Sequence, residues 1–339
     1  MRIAIAGLGL IGGSLARILV NSGYDVTAWN HRSQSYEAAR KNGIVCVKSL
    51  PELAASQPDI LVLCTPLKAM DSVLKQLSDK LAPSTTLTDV GSVKREVLAT
   101  VSRYGLRKQF VGAHPMAGNE LAGFDASDVS LFDNATWAIT VENDTEFEHF
   151  LKVARMVCDG VHNRFVVASA DDHDQATAQI SHMPHVVATA LAAQIVRNPQ
   201  SNLALALSAG SWRDMTRVAL TTPDRTFAMV DENPDNVANL LHDISQQLSD
   251  IADLLDKRET ERNIYDKGLE QFFESAQPYR DVRAKLKDKV PEGVYSLALS
   301  TSSHEWANQL VQASRKGGRI EFIDSVEAIV RHFPHLRDE

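Results

Sequence analysis

A doubly wound α/β unit followed by an all-helical unit is the architecture this 339-residue chain predicts. Three observations carry it. Residues 1–168 alternate short apolar runs with helical patterns, the signature of a mostly parallel sheet. From Ala170 only helical periodicity remains. After Pro278 a short tail returns to mixed strand and helix patterns. The expected domains are therefore 1–168, 169–277 and 278–339.

In the first part the strand candidates are Ile3 to Ala6, Asp25 to Trp29, Ile60 to Cys64 and Thr85 to Thr88. Phe110 to Ala113, Trp137 to Val141 and Phe165 to Ala168 follow. Most are near-continuous apolar runs, as strands covered by helices on both faces require. In the second part, Asp171 and Asp172 suit a helix start. The alanine-rich stretch Ala176 to Ile195 carries Pro184, which predicts a kink. Val237, Leu240, Leu241, Ile244, Leu248, Ile251, Leu254 and Leu255 recur at spacings of three and four. They predict an amphipathic helix running past Arg258, with a stripe suited to a second subunit. In the tail, Lys285 to Lys289 with Pro291 reads as a linker. Val294 to Ser300 reads as a strand, Glu305 to Ala313 as a helix, Arg319 to Ile323 as a strand and Val326 to Phe333 as a helix. This βαβα pattern is short for an independent core and predicts a docked appendage.

The first strand runs into Gly7-Leu8-Gly9-Leu10-Ile11-Gly12, with a helical pattern after it. A lone GxGxxG is weak, but strand before and helix after is the context it needs. Gly7 permits the tight turn, Gly9 a close backbone approach to a pyrophosphate, and Gly12 close helix–strand packing. The free N–H groups and the dipole at the helix start favour the anion. The unit is thus of Rossmann type and binds a dinucleotide. Cys64-Thr65-Pro66, Asp89-Val90-Gly91-Ser92 and His114-Pro115 lie at strand ends that face the same crevice.

The second strand ends in Asn30-His31-Arg32-Ser33, 23 residues after Gly7. No acid stands there to repel a 2′-phosphate. Arg32 offers a charged donor fork and Ser33 a hydroxyl, so NADP is expected over NAD.

A net charge of −8 argues against a general nucleic-acid surface. No run after the first strand–helix pair is long and apolar enough for a bilayer. The apolar start lacks a small-residue cleavage site and a basic cluster, unlike a secretory signal. Three cysteines, Cys46, Cys64 and Cys158, outside any CxxC spacing suit a reducing cytoplasm. His182 and His185 stand at i, i+3 spacing, but with neither HExxH nor a third ligand no metal site is expected.

Four further segments occur in order. They are Thr88-Asp89-Val90-Gly91-Ser92-Val93-Lys94, Gly112 to Gly118 with Glu120, Ser181-His182-Met183-Pro184-His185, and Ala209 to Arg217. With the glycine turn, they resemble the prephenate/arogenate dehydrogenase family of tyrosine biosynthesis, over residues 1 to about 275. The resemblance implies a nucleotide-binding domain, a helical domain that builds a homodimer, and an NAD(P)-dependent oxidative decarboxylation of a cyclohexadienyl substrate. It implies His114 as the group that accepts the ring-hydroxyl proton, with Ser92 orienting it or the substrate. It implies Arg217 as anchor for a substrate carboxylate, with His185, Glu120 and Gly210 among the substrate-binding residues. The cofactor-binding set is Gly7, Gly9, Leu10, Ile11, Gly12, Asn30, His31, Arg32, Ser33, Cys64, Thr65, Pro66, Asp89 and Ser92.

Read without the resemblance, Ser92 is a helix N-cap, His182 a packed helix residue and Arg213 a surface partner of Asp214. The family often has an aromatic after the arginine helix; here Phe227 stands shifted and Arg225 is an added charge. A hydroxyacid dehydrogenase or imino-acid reductase on the same scaffold is the rival enzyme. The absence of lysine between Val153 and Asp256 counts against the former. A nucleotide-sensing module would not need His114 together with Arg217. Prephenate and arogenate differ only in a keto against an amino group; a hydrogen bond from His185 to the keto oxygen tilts the expectation to prephenate.

Overall fold

The structure, a computed structural model, describes residues 1–119, 121–287 and 293–336. It divides into two compact units, Met1–His173 with Asp288–Glu339, and Asp174–Lys287.

Five strands form the first sheet: β1 (Arg2–Ala6), β2 (Asp25–Trp29), β3 (Val45–Cys46), β4 (Ile60–Leu63) and β5 (Thr86–Asp89). Their order is β3-β2-β1-β4-β5 and every pairing is parallel. The apolar runs explain the burial: Ile3, Ala4, Ile5, Ile60, Leu61 and Val62 are all at most 1% exposed, closed off on both faces. The chain leaves β1 towards β2 and returns to its other side as β4. The topological switch point therefore lies between the carboxyl ends of β1 and β4.

The second sheet holds β6 (Ala113–Pro115), β7 (Thr136–Thr140), β8 (Arg164–Ala168), β9 (Gly293–Ala298), β10 (Gly318–Ile323) and β11 (Glu327–His332). Its order is β6-β7-β8-β10-β11-β9. Only β7 and β8 run parallel; the other pairings are antiparallel. The strand expected over Phe110 to Ala113 is displaced. Phe110 makes one parallel bridge to Leu87, Val111 N–H donates to the Leu87 carbonyl at 2.9 Å, and β6 begins only at Ala113. His114 thus sits where the chain crosses from one sheet to the other.

The tail differs from expectation in two ways. Residues 326–333 do not form a helix: β11 buries Ala328 and Val330 at the two-residue period of a strand. The tail is also built into the first unit, since β10 pairs with β8 at Ile320 and Phe165. The helix Glu305–Arg315 supplies Trp306, whose ring centroid is 4.7 Å from Phe150 and 5.0 Å from Phe147. Trp306, Leu310, Ile320 and Val330 join the same core as Ile3 and Val62. Of the expected linker, Lys285, Leu286 and Lys287 end the helix Gln277–Lys287, and residues 288–291 lie outside the described residues.

The second unit is helical throughout its described length. Around Pro184 the helix changes hand-hold rather than ending: a π-turn at Ala178–His182 separates Ala170–Thr177 from Met183–Arg197, with Pro184 in the first turn of the latter. The wider turn absorbs the proline's missing N–H and its ring. The amphipathic helix is Pro234–Asp256; it stops there and does not run past Arg258. Val237 is its one buried residue, while Leu248 and Leu255, seven positions apart on one face, are 58% and 49% exposed.

Candidate active site

The glycine turn is shaped by close approach. Gly7 has φ +116°, and a Cβ there would overlap the Cys64 carbonyl oxygen. A Cβ on Gly12 would overlap the Gly7 carbonyl and come within 2.9 Å of the Cys64 Cβ. Neither position admits a side chain. Gly9 differs: a Cβ there would meet nothing within 4 Å. It caps the helix Leu10–Asn21, whose first turn carries no acid and no side-chain cap. The first helical bond runs from Gly13 N–H to the Gly9 carbonyl at 2.8 Å, so the N–H groups of Leu10, Ile11 and Gly12 precede it and have no partner within the helix. That cradle fits a pyrophosphate. A second observation agrees: beside it Thr65, after β4, buries a hydroxyl with no hydrogen-bond partner. Pro66 caps the helix Leu67–Leu77. Burial, then Asp89, push the Cys64 thiol well above its ordinary value, so it stays protonated there.

At the end of β2, His31, Arg32 and Ser33 are exposed, and among the described residues Arg32 has no carboxylate partner. Asn30 acts differently from the expectation. Its Oδ1 accepts from Leu8 N–H at 3.0 Å and its Nδ2 donates to the Arg32 carbonyl at 2.9 Å. It ties the glycine turn to the β2 loop.

Asp89 is the main correction among the cofactor candidates. It is fully buried and ion-paired with Lys94, itself 1% exposed. Asp89 Oδ2 also accepts from Gly91 N–H at 2.8 Å and Oδ1 from Ala113 N–H at 3.3 Å. Lys94 Nζ donates to the Ala113 carbonyl at 2.7 Å. The pair binds the loop of Ser92 to the strand of His114, and its atoms face inward. The sequence assigns Lys94 no role of its own, although its place in the Thr88–Lys94 segment is the available signal. Ser92 is half-buried in that loop. It does not cap a helix: Arg95–Arg103 begins three residues later, and Lys94 is its N-cap residue.

His114 is half-buried on β6, opposite Ala138. Its Nδ1 lies 3.0 Å from Nε2 of His173, a residue the sequence reading did not select. Glu120 lies outside the described residues.

Within the helical unit, the turn Arg217–Leu220 packs on Met183–Arg197, the helix that carries His185. Gly210 starts the helix Gly210–Thr216 just before it, with open space at its Cα. Arg217 is exposed, and among the described residues its guanidinium has no partner. Arg213 is likewise exposed and makes no ion pair with Asp214. Phe227 is 60% exposed on Pro223–Asp231, the helix that also bears Arg225. His182 is 1% exposed, with the Asn233 amide nitrogen 3.3 Å from its Nδ1, so it is the packed residue expected. His185 Nδ1 donates to the Ser181 carbonyl at 2.8 Å. The neutral ring therefore offers only a lone pair at Nε2, and donation to a keto oxygen requires the imidazolium.

Residues 15–167 match the family description "Prephenate dehydrogenase, nucleotide-binding domain", and residues 169–271 match "Prephenate dehydrogenase, dimerization domain". A prephenate dehydrogenase of Lactococcus lactis subsp. cremoris is 30% identical over 305 residues, 88% of this chain and 82% of that one. The crystal structure of Synechocystis arogenate dehydrogenase aligns with a TM-score of 0.71 at 28% identity, over 82% of this chain and 100% of that chain. A prephenate dehydrogenase from A. aeolicus, solved with hydroxyphenyl propionate and NAD+, aligns with a TM-score of 0.72 at 27% identity, over 82% and 97%. No helix among the described residues is long and apolar enough to cross a membrane.

Proposed function

The chain belongs to the prephenate/arogenate dehydrogenase family, and from that premise we propose that it oxidises and decarboxylates prephenate with His114 as base and NADP as the preferred cofactor. It is an NAD(P)-dependent oxidoreductase of tyrosine biosynthesis. The observation that carries the site assignment is His114 itself. It is the titratable side chain on β6, where the chain crosses between the sheets, and Asp89 and Lys94 clamp its strand through Ala113.

Bound NAD(P)+ supplies the hydride acceptor. The first turn of Leu10–Asn21 holds its pyrophosphate, Thr65 donates or accepts at the crevice wall, and Arg32 with Ser33 meets a 2′-phosphate. His114 takes the proton from the ring hydroxyl as the carbinol carbon loses hydride and a C=O bond forms. The ring carboxylate then leaves as CO2, its bonding electron pair enters the ring and moves the carbonyl electrons onto oxygen, and that oxygen takes the proton back from His114 to give the aromatic phenol. Ser92 orients His114 or the hydroxyl. Arg217 holds a substrate carboxylate through its two-pronged fork, with His185, Gly210 and Glu120 completing the substrate set. The preference for prephenate over arogenate rests on the curated relative. His185 supports it only when protonated, because a neutral His185 suits an ammonium donor better. The helical unit joins two copies, and its exposed Leu248 and Leu255 supply apolar surface for that contact. Three free cysteines suit residence in the cytoplasm.

Initial rates for prephenate and arogenate, each with NADP and NAD, test this reading. The highest kcat/KM is expected for prephenate with NADP. Turnover of neither substrate would overturn the proposal, and a higher value for arogenate would reverse the substrate preference.

A further inference from the structure

His114 is one half of a histidine pair. Besides the 3.0 Å approach of its Nδ1 to His173 Nε2, the two rings meet edge to face, 5.2 Å between centroids at 69°. The exposures differ: His114 is half-buried, His173 is 4% exposed. His173 is also firmly placed. It lies in the helix Ala170–Thr177, whose first residue donates its N–H to Glu142 at 2.9 Å. Asp172 N–H bonds Ser169 Oγ at 3.0 Å, and the Asp172 carboxylate takes Arg315 of the tail helix at 2.9 Å. Asp171 pairs with Arg95 at 3.0 Å. The start of this helix is thus tied to the β7 loop, to the helix after the Ser92 loop and to the tail.

Two imidazole nitrogens in hydrogen-bond contact share one hydrogen: one donates, the other accepts. The two arrangements have opposite consequences. If His173 Nε2 accepts, His114 carries its hydrogen on Nδ1 and keeps a lone pair on Nε2. If His173 donates, neutral His114 carries its hydrogen on Nε2 and has no basic nitrogen left for a substrate. Only the first arrangement makes a base.

We propose that His173 is the positioning residue of this active site: its Nε2 accepts from His114 Nδ1–H, holds that tautomer, and leaves the His114 Nε2 lone pair for the substrate hydroxyl. This rests on the reading of His114 as the base. When the hydroxyl proton reaches Nε2, His114 becomes an imidazolium and its bond to His173 becomes charge-assisted. The interaction strengthens as the proton moves, so it acts on turnover more than on binding. A neutral ring here does the orienting that a carboxylate does for the histidine of a Ser-His-Asp triad.

The test uses the full-length protein and three variants. His173→Leu fills the space without an acceptor; His173→Gln keeps a side-chain acceptor; His114→Asn removes the base. With His173→Leu, kcat is expected to fall about 10–100-fold, by analogy with the loss of an outer hydrogen-bond partner of a metal-ligating histidine. Substrate KM and cofactor affinity should stay within about twofold, and His173→Gln should recover much of the loss. A merely packed His173 would not be rescued by Gln. Nitrogen NMR on histidine-labelled wild type supplies a readout independent of turnover: His114 should show a protonated Nδ1 and an unprotonated Nε2, and lose that bias in His173→Leu. A wild-type His114 protonated at Nε2, or an unchanged kcat in His173→Leu, overturns the inference. Full turnover in His114→Asn would instead remove His114 as base, while the NMR result still decides which nitrogen the pair protonates.

Discussion

Lys94 and Asp89 form a buried ion pair directly beneath the strand that carries His114. Both side chains are buried; Asp89 also accepts from the N–H groups of Gly91 and Ala113, and Lys94 also donates to the Ala113 carbonyl. Removing one partner leaves the other charged and unpaired. Lys94→Met should therefore cost about 3–5 kcal/mol of stability, measured by urea unfolding. Lys94→Met combined with Asp89→Asn leaves no buried charge and should recover most of that. A cost below about 1 kcal/mol for the single variant would mean that Asp89 is protonated or solvated there.

A second expectation concerns Arg32. It stands exposed at the end of β2, and among the described residues its guanidinium has no partner. Arg32→Glu places like charge against a 2′-phosphate and should weaken NADP at least ten- to a hundredfold, the weight of about 1.5–3 kcal/mol for a charged hydrogen bond. NAD affinity should barely change. Fluorescence titration with both cofactors checks this. Equal losses for the two would show that Arg32 holds the loop rather than the phosphate.

His149 gives the first unit a pH response. Its Nδ1 lies 2.7 Å from Thr86 Oγ1 in the core, and burial, aided by Lys152, holds its pKa below the ordinary 6.5. The unfolded chain binds this proton more readily than the folded one, so stability rises with pH through that window. Its contribution is complete above about 6.5 and is lost progressively as pH falls below that value. Urea midpoints should drop between pH 7.5 and 5.5 (chosen to straddle that value), and less steeply in His149→Gln. Identical slopes for the two proteins would show that other groups govern the acid response.

Much of this architecture was legible in the residues because burial imposes a pattern. Ile3 to Ala6 and Ile60 to Leu63 are continuous apolar runs since helices cover both faces. The glycine turn was legible because Gly7 and Gly12 have no room for a Cβ. Residues 326–333 were misread because eight residues hold too few periods to separate a buried strand from a helix. Asp89 was assigned to the cofactor from its position at a strand end. Its true partner depends on how Lys94 folds back, which spacing does not report. His173 was hidden for a similar reason: it lies 59 residues from His114, and the pairing of β6 with β7, and of β7 with β8, brings the two segments together.

The helical unit carries an oligomerisation prediction. Leu203, Leu207, Leu220, Leu248 and Leu255 are all about half exposed or more. Leu248 and Leu255 stand on one face of Pro234–Asp256, an apolar stripe suited to a second copy. Light scattering at micromolar concentration should report twice the chain mass. Leu248→Glu with Leu255→Glu should shift the protein towards monomer. A stable wild-type monomer would leave the stripe without its expected partner.

Arg217 is the last test, and it separates binding from chemistry. The guanidinium is exposed and has no partner among the described residues, on a turn packed against the helix of His185. A carboxylate anchor needs such a fork, because two parallel N–H groups match two oxygens. Arg217→Gln keeps most of the length but removes the charge and the fork. Losing one partner of a desolvated charge pair costs about 2–5 kcal/mol, partly because the substrate carboxylate is then left unpaired. That carboxylate is charged before hydride moves, so the loss should appear mainly as a raised KM. A further fall in kcat would mean that the arginine also aligns the ring for hydride transfer and CO2 loss. The NADP dissociation constant should hardly move, since the cofactor contacts proposed above are the glycine turn, Thr65, Arg32 and Ser33, not Arg217. An unchanged KM would make Arg217 structural and send the search for the anchor to Arg213 and Arg225.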